Sequence, residues 1–269
     1  MSKLAGIQYW GEDGITQECL DAVMRLLQYD DPITKVRVLT DGERYCLLIT
    51  LGEFDLIAIK SGFSYGYVGE GPRKFSYALA LFEAHKIEMD EFEVGKDIIQ
   101  RINDSALTNS DLEKINSLKP VRPLRIYEYI EMDDFNKIKD GTLWQNFRPV
   151  IPFAVVDPRI MDLAVSFWNR PDANLMDGYR RFEDIVRNKT GIDETGSRLF
   201  TQAFLREDSS LKWEGIGNGE KQARANLIIG AYSAYRNPRA HKEKESRATE
   251  YLSEFLLLNH LFLLESQAE

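Results

Sequence analysis

Sulfur and imidazole are scarce in this chain of 269 residues, which has two cysteines and three histidines. Cys19 and Cys46 are too few for a four-cysteine zinc site or a disulfide framework. They read as small buried hydrophobes of a reducing compartment. His85 and His260 have no second ligand at H-x(3)-H or C-x(2)-C spacing and read as structural. No metal site and no cofactor is expected. Long apolar runs are also missing. The longest, Phe255–Leu258, reopens at Leu261–Leu264 across Asn259 and His260, well short of the ~20 residues a membrane span needs. The opening MSKLAGIQYWGEDG lacks the apolar core of a signal peptide. These absences predict a soluble, cytoplasmic protein with no membrane partner. Basic charge is short too: 34 Lys and Arg face 43 Asp and Glu, a net of −9 with a pI near 5.1. A protein that coats nucleic acid would have a pI above about 9.

What is present is globular. Hydrophobic residues make up 43% and aromatics 11%, more than disordered chains carry. The charge is unevenly spread. From Val155 onward 16 basic residues meet 18 acidic ones, a net of −2, while the preceding part, with 18 against 25, carries −7. A local basic site therefore has room in the second half.

The two halves differ in texture. Val36–Leu39, Tyr45–Leu51 and Phe54–Lys60 are apolar, β-branched runs separated by Asp41–Gly42 and Gly52–Glu53, as expected of strands joined by tight turns. Asp13–Leu27 and Lys74–His85 have helical apolar spacing. Residues 1–119 therefore predict an α+β domain with a small antiparallel sheet of three or four strands. Glu88, Asp90, Glu91 and Glu93 read as a solvated acidic face. Residues 120–150 hold recurring X-Pro steps, which disfavour a continuing helix, and read as a connector. Residues 151–269 present five amphipathic segments, 159–169, 175–187, 194–205, 220–235 and 246–264, and predict an all-α bundle. Asp157 before Pro158 is a suitable start for the first.

The group with most chemistry is Arg236-Asn237-Pro238-Arg239-Ala240-His241. A histidine titrates near neutrality and can move a proton. An arginine can grip phosphate with parallel hydrogen bonds. Pro238 limits the helix, so the following turn can bring His241 back beside Arg236. Such a set suits metal-free cleavage of RNA, with one group deprotonating the 2′-hydroxyl and another protonating the leaving oxygen. The same residues also suit a plain helix C-terminus, where cations meet the negative end of the dipole.

Arg236 and His241 enclose four residues, and this spacing with Asn237 resembles the R-x(4–6)-H motif of HEPN-domain ribonucleases. The wider stretch resembles the Ymh-type HEPN family of bacterial and phage-associated loci. The matching blocks are Tyr179–Arg187, Thr190–Leu199 with Ala203–Phe204, Gly230–His241 and an Ala-x-Glu-Tyr-Leu helix, about 157–266 in all. The resemblance implies a four- to five-helix HEPN-like bundle that dimerises so that two motifs meet in a cleft. It implies a metal-independent endoribonuclease of toxin or anti-phage (abortive infection) systems. Arg236 and His241 would be catalytic, Asn237 would position them, and Glu183 would supply the acidic group many members carry on an earlier helix, with Asp184 as its substitute. Arg239 and Arg181 are candidates to bind the RNA. A subgroup of the family carries a modifiable tyrosine two residues after the histidine; this chain has Glu243 there, which argues against that form of control. A non-catalytic HEPN-like module that binds RNA or a nucleotide, or serves as a scaffold, is the alternative.

The first half holds one further candidate. Ser61–Lys74 carries four glycines and leads into a helix. Gly69, Gly71, Arg73 and Lys74 form a candidate ligand loop, since backbone N–H groups at a helix start can hold phosphate. The spacing matches neither G-x(4)-G-K-[ST] nor G-x-G-x-x-G, and a tight turn between sheet and helix is the simpler reading. This half is expected to sense a ligand or to dock an antitoxin or defence-system partner.

Overall fold

Tyr45–Ile49 is buried at every position, so this strand is covered on both faces, and the architecture of the first half follows from that. A computed structural model describes residues 3–29, 31–147, 149–236 and 246–269. The chain divides into two units, Met1–Phe147 and Arg148–Glu269. In the first, strands β1 (Gln8–Trp10), β2 (Ile33–Thr40), β3 (Tyr45–Leu51), β4 (Asp55–Phe63) and β5 (Glu88–Glu93) form one sheet in the order β1-β4-β3-β2-β5. The β2–β3 and β3–β4 pairs are antiparallel, whereas β1–β4 and β2–β5 are parallel. The expected all-antiparallel sheet is thus mixed and five-stranded. Its outer strands escape the sequence because one is three residues long and the other is acidic.

Helices α1 (Thr16–Gln28) and α2 (Glu70–Ala84) pack together and on β4. α3 (Lys96–Asn103) and α4 (Asn109–Ser117) follow β5. Cys46 and Leu48 pack with Ile98, Ile99, Ile102 and Ile115 of α3 and α4. Tyr45, of the opposite parity along the strand, meets Phe75 of α2 at 4.7 Å between ring centroids. Continuous apolar strands are what a sheet covered on both faces requires.

Two expectations fail here. The acidic run is not wholly a solvated face: Glu88 and Glu93 are exposed, whereas Glu91 is fully buried and Asp90 is 7% exposed. β5 lies beside β2, so Asp90 meets Lys35 at 2.9 Å and Arg122 at 2.8 Å. Glu91 takes two hydrogen bonds from Arg125, at 3.1 and 2.7 Å, and one from Tyr129 at 2.9 Å. Nor is 120–150 mainly a connector. α5 (Ile126–Tyr129) and α6 (Met132–Lys139) belong to the first unit, where buried Asp134 accepts from Ser76 of α2.

Among its described residues the second unit is helical, with no strand. The first predicted segment is broken: a short turn at Pro158–Ile160 leads to α7 (Met161–Val165) and then to a turn at Phe167–Asn169. Asp157 starts it as expected, accepting from the Arg159 amide at 2.9 Å. Then come α8 (Pro171–Thr190), α9 (Gly196–Phe200), α10 (Asn218–Ala231) and α11 (Ala248–Ser266). Phe167, Tyr179, Phe182, Phe200, Tyr232 and Phe262 are central to one core. Asn259, which interrupts the apolar run of α11, is itself buried. It accepts from the Asp157 amide at 2.7 Å and donates to the Val155 carbonyl at 2.9 Å, fixing the entry to the bundle. No helix of the described residues is long and apolar enough to cross a membrane.

Candidate active site

α9 and α10 each end in a turn wider than an α-helix, a π-helical turn at Thr201–Leu205 and another at Tyr232–Arg236. Such turns are uncommon and recur at functional sites. Each packs against the other's helix. The Oγ atoms of Ser197 and Ser233 are 2.8 Å apart. The Ser233 hydroxyl donates to the Ile229 carbonyl at 2.7 Å, which leaves Ser197 to donate across the pair.

Tyr232 and Arg236 are four residues apart and share a face of their turn. The Arg236 guanidinium carbon lies 5.5 Å from the Tyr232 ring centroid, within the range of a cation–π contact. Tyr232 is 1% exposed and its hydroxyl donates to Oε2 of Glu183, on α8. Burial, and next the Glu183 carboxylate, push the Tyr232 phenol above its ordinary value, while Arg236 and Arg187 oppose the shift. Tyr232 is therefore held as a neutral donor. The other Glu183 oxygen accepts from Arg187 at 2.9 Å and from the Gly196 amide at 3.1 Å. Glu183 thereby ties α8, the start of α9 and the Arg236 turn together. The Arg236 Nε is buried and has no hydrogen-bond partner among the described residues.

Of the residues expected from the sequence, Arg236 and Glu183 are thus joined through Tyr232. Asn237, Arg239 and His241 lie outside the described residues, as does Glu243. Arg181 is not brought to this cluster: it pairs with both oxygens of Asp162, at 2.6 and 2.9 Å, and with the Arg159 carbonyl. Two residues from Glu183, it sits on the other side of the helix. Asp184 pairs with Arg187 at 2.6 Å. Sequence reasoning missed Tyr232, although its spacing of four from Arg236 signals a shared face.

In the first unit the glycine loop is closed on itself. Gly69 precedes α2 with an extended backbone, and a Cβ at Gly71 would stand 2.1 Å from the Ser64 Oγ, so the loop has no space there. Lys74 is taken by Glu70 and Gln17, while Arg73 is exposed. This favours a tight turn over a phosphate cradle. His85 ends α2 with its ring nitrogen 2.9 Å from the Leu81 carbonyl, and His260 is exposed on α11. No group of three or more His, Cys, Asp or Glu able to hold a metal ion occurs among the described residues.

Comparison with known proteins bears on the helical unit. Residues 156–263 match a family model described as "Protein of unknown function (Hypoth_ymh)", close to the 157–266 over which the sequence shows its Ymh-type resemblance. No curated protein matches the chain. One solved structure, a chain of respiratory complex I from Thermus thermophilus, matches at 20% identity with a TM-score of 0.38. It covers 46% of this chain and 100% of that one, a likeness too slight to establish a shared fold.

Proposed function

We propose that this protein is a metal-independent endoribonuclease of the HEPN type, acting in bacterial toxin or anti-phage defence. The observation that supports the reading is the hold on Arg236. A buried carboxylate and a buried phenol fix the helical turn that carries it, directly before Asn237–His241. An arginine meant only for solvent needs no such support. In the reaction, the 2′-oxygen of the substrate attacks the adjacent phosphorus and the bond to the 5′-oxygen breaks. His241 handles the proton, and Arg236 stabilises the charge that develops on the phosphoryl oxygens. Asn237 positions the pair and Arg239 contacts the strand. The cleft is completed by a second copy of the chain. The first unit, with its −8 charge, docks an antitoxin or defence-system partner.

The test is incubation of the full chain with total RNA in EDTA, followed by end-group analysis. Fragments with 2′,3′-cyclic phosphate and 5′-hydroxyl ends are expected, and none with His241→Ala. A need for Mg²⁺ or 5′-phosphate products would make water the nucleophile and remove His241 from its role. RNA binding without cleavage would leave a non-catalytic module.

A further inference from the structure

The helical unit pairs its positive charge selectively. Thirteen of its lysines and arginines are described, and seven have a carboxylate partner: Arg159, Arg180, Arg181, Arg187, Lys189, Arg224 and Arg247. Six have none among the described residues. One, Arg170, starts α8. The other five are Arg236 and four residues that line two adjoining clefts. The first cleft, of about 440 Å³, is lined by Ser197, Arg198, Thr201, Gln202, Arg206 and Glu194. The second, of about 500 Å³, shares Arg206 and adds Lys212, Lys221, Asn218 and Gln222. The Phe204 and Trp213 rings, stacked at 5.3 Å and almost fully buried, also line this second cleft.

The trough begins at the candidate site. Ser197, in its first wall, is the residue paired with Ser233 on the Arg236 turn. From there Arg198, Thr201 and Gln202 lie three and four residues apart on α9 and its wide turn, and Arg206 follows where the backbone becomes extended. Arg206 borders both clefts and so carries the row from the first into the second. Two acids, Glu194 and Glu207, face the trough against four cations. Unpaired cations interleaved with hydroxyl and amide side chains are the chemistry of a phosphodiester backbone, in which charge recurs along a line and no base need be read. Isolated phosphate would not require so long a row.

We propose that this trough holds the phosphate backbone of single-stranded RNA and leads the strand to the Arg236 turn. The proposal rests on the ribonuclease reading for the identity of the strand, and on the trough alone for its place. The test is binding of a labelled 2′-O-methyl RNA 12-mer, which lacks the attacking hydroxyl, by fluorescence anisotropy between 50 and 200 mM salt. Arg198→Ala/Arg206→Ala is expected to weaken binding about tenfold at 50 mM. It should also flatten the salt dependence by about 1.4 log units per decade, at ~0.7 for each lost phosphate contact on a single strand. Lys212→Ala/Lys221→Ala should behave alike, and Arg180→Ala, a cation paired with Asp177, should bind as the unaltered chain does. All are exposed or partly exposed positions, so folding should survive, as a thermal melt checks. Unchanged affinity in both double variants, or no binding by the unaltered chain, would overturn the trough. Competition by poly-glutamate as effective per charge as RNA would overturn it in favour of an acidic protein partner. Cleavage of total RNA separates the two readings. Binding that needs the four cations, without cleavage, keeps the trough and drops the nuclease; cleavage with variant-insensitive binding does the reverse.

Discussion

Glu183 accepts hydrogen bonds from three places in the bundle, and this explains why one carboxylate can be buried in it. Removing the acceptor strands a buried phenol, at about 1–3 kcal/mol, and takes the carboxylate from the half-buried Gly196 amide and from Arg187. Glu183→Ala is therefore expected to destabilise the helical unit by about 3 kcal/mol in urea denaturation. Tyr232→Phe, which keeps the ring beneath Arg236, should cost about 1 kcal/mol. Equal, small effects would mean that the phenol finds another partner once the carboxylate is gone. In the first unit Cys19 is fully buried, and burial is the main cause that pushes its thiol up to about 11. Its Sγ lies 3.3 Å from the Lys60 carbonyl. A raised value means that the folded chain keeps the proton longer than the unfolded one. The associated stability is complete below the ordinary thiol range near 9 and is lost as pH climbs from there through 11. Cys19→Ala should remove this fall from a series of urea midpoints between pH 8 and 11, whatever its constant cost. The sequence makes Arg236 and Glu183 legible through spacing and resemblance. It gives no sign of the bond through Tyr232, because which way a tyrosine hydroxyl points depends on three helices at once.

At the scale of elements, strands were legible where burial is continuous and hidden where charge is buried. β3 is read from the sequence over the same residues it occupies, Tyr45–Leu51, because apolar side chains fill both of its faces. β5 has four acids in six residues, and its strand character rests on partners far along the chain: Lys35 on β2, and Arg122, Arg125 and Tyr129 after α4. A local pattern cannot show which carboxylates will be matched. Glu91→Ala would leave buried Tyr129 without its acceptor and Arg125 with Glu93 alone, at 3.3 Å. A loss of about 1–3 kcal/mol is expected in the first unit, the cost of a stranded buried donor; a loss below 1 kcal/mol would mean that water reaches the site. Helix packing carries a second prediction. A Cβ at Gly178 would stand 2.5 Å from Leu258 Cδ2, where α8 meets α11. Leu258 is fully buried and has little room to turn aside. Gly178→Ala should cost about 1–3 kcal/mol as overpacking, and Leu258→Val in the same chain should recover part of it. Additive losses would show that the two side chains do not meet.

At the scale of the whole molecule, the uneven charge seen in the sequence separates along the fold: an acidic sheet unit, and a helical unit in which five of the six described cations without a carboxylate partner are Arg236 and the lining of two adjoining clefts. What the sequence could not supply is that gathering, since Arg198, Arg206, Lys212 and Lys221 come from three stretches that only the bundle aligns. The ribonuclease reading then makes a demand on assembly. Each chain offers one Arg236–His241 block, and in the shared cleft that this reading requires the arginine of one copy serves the histidine of the other. One copy thus brings half of a site, and the mass in solution should be twice 31.0 kDa. The sharper test is complementation. Arg236→Ala and His241→Ala chains should each be inactive alone, with rates down by ~10²–10⁴. Mixed under conditions that exchange subunits, they form heterodimers whose shared cleft holds one intact Arg236 and one intact His241 from different copies. If that cleft is the active site, mixing restores a part of the cleavage rate that rises with the heterodimer fraction. If each copy works by itself, no heterodimer contains a complete set and mixing restores nothing. A monomeric mass with full activity would count against the shared cleft independently of the mixing result.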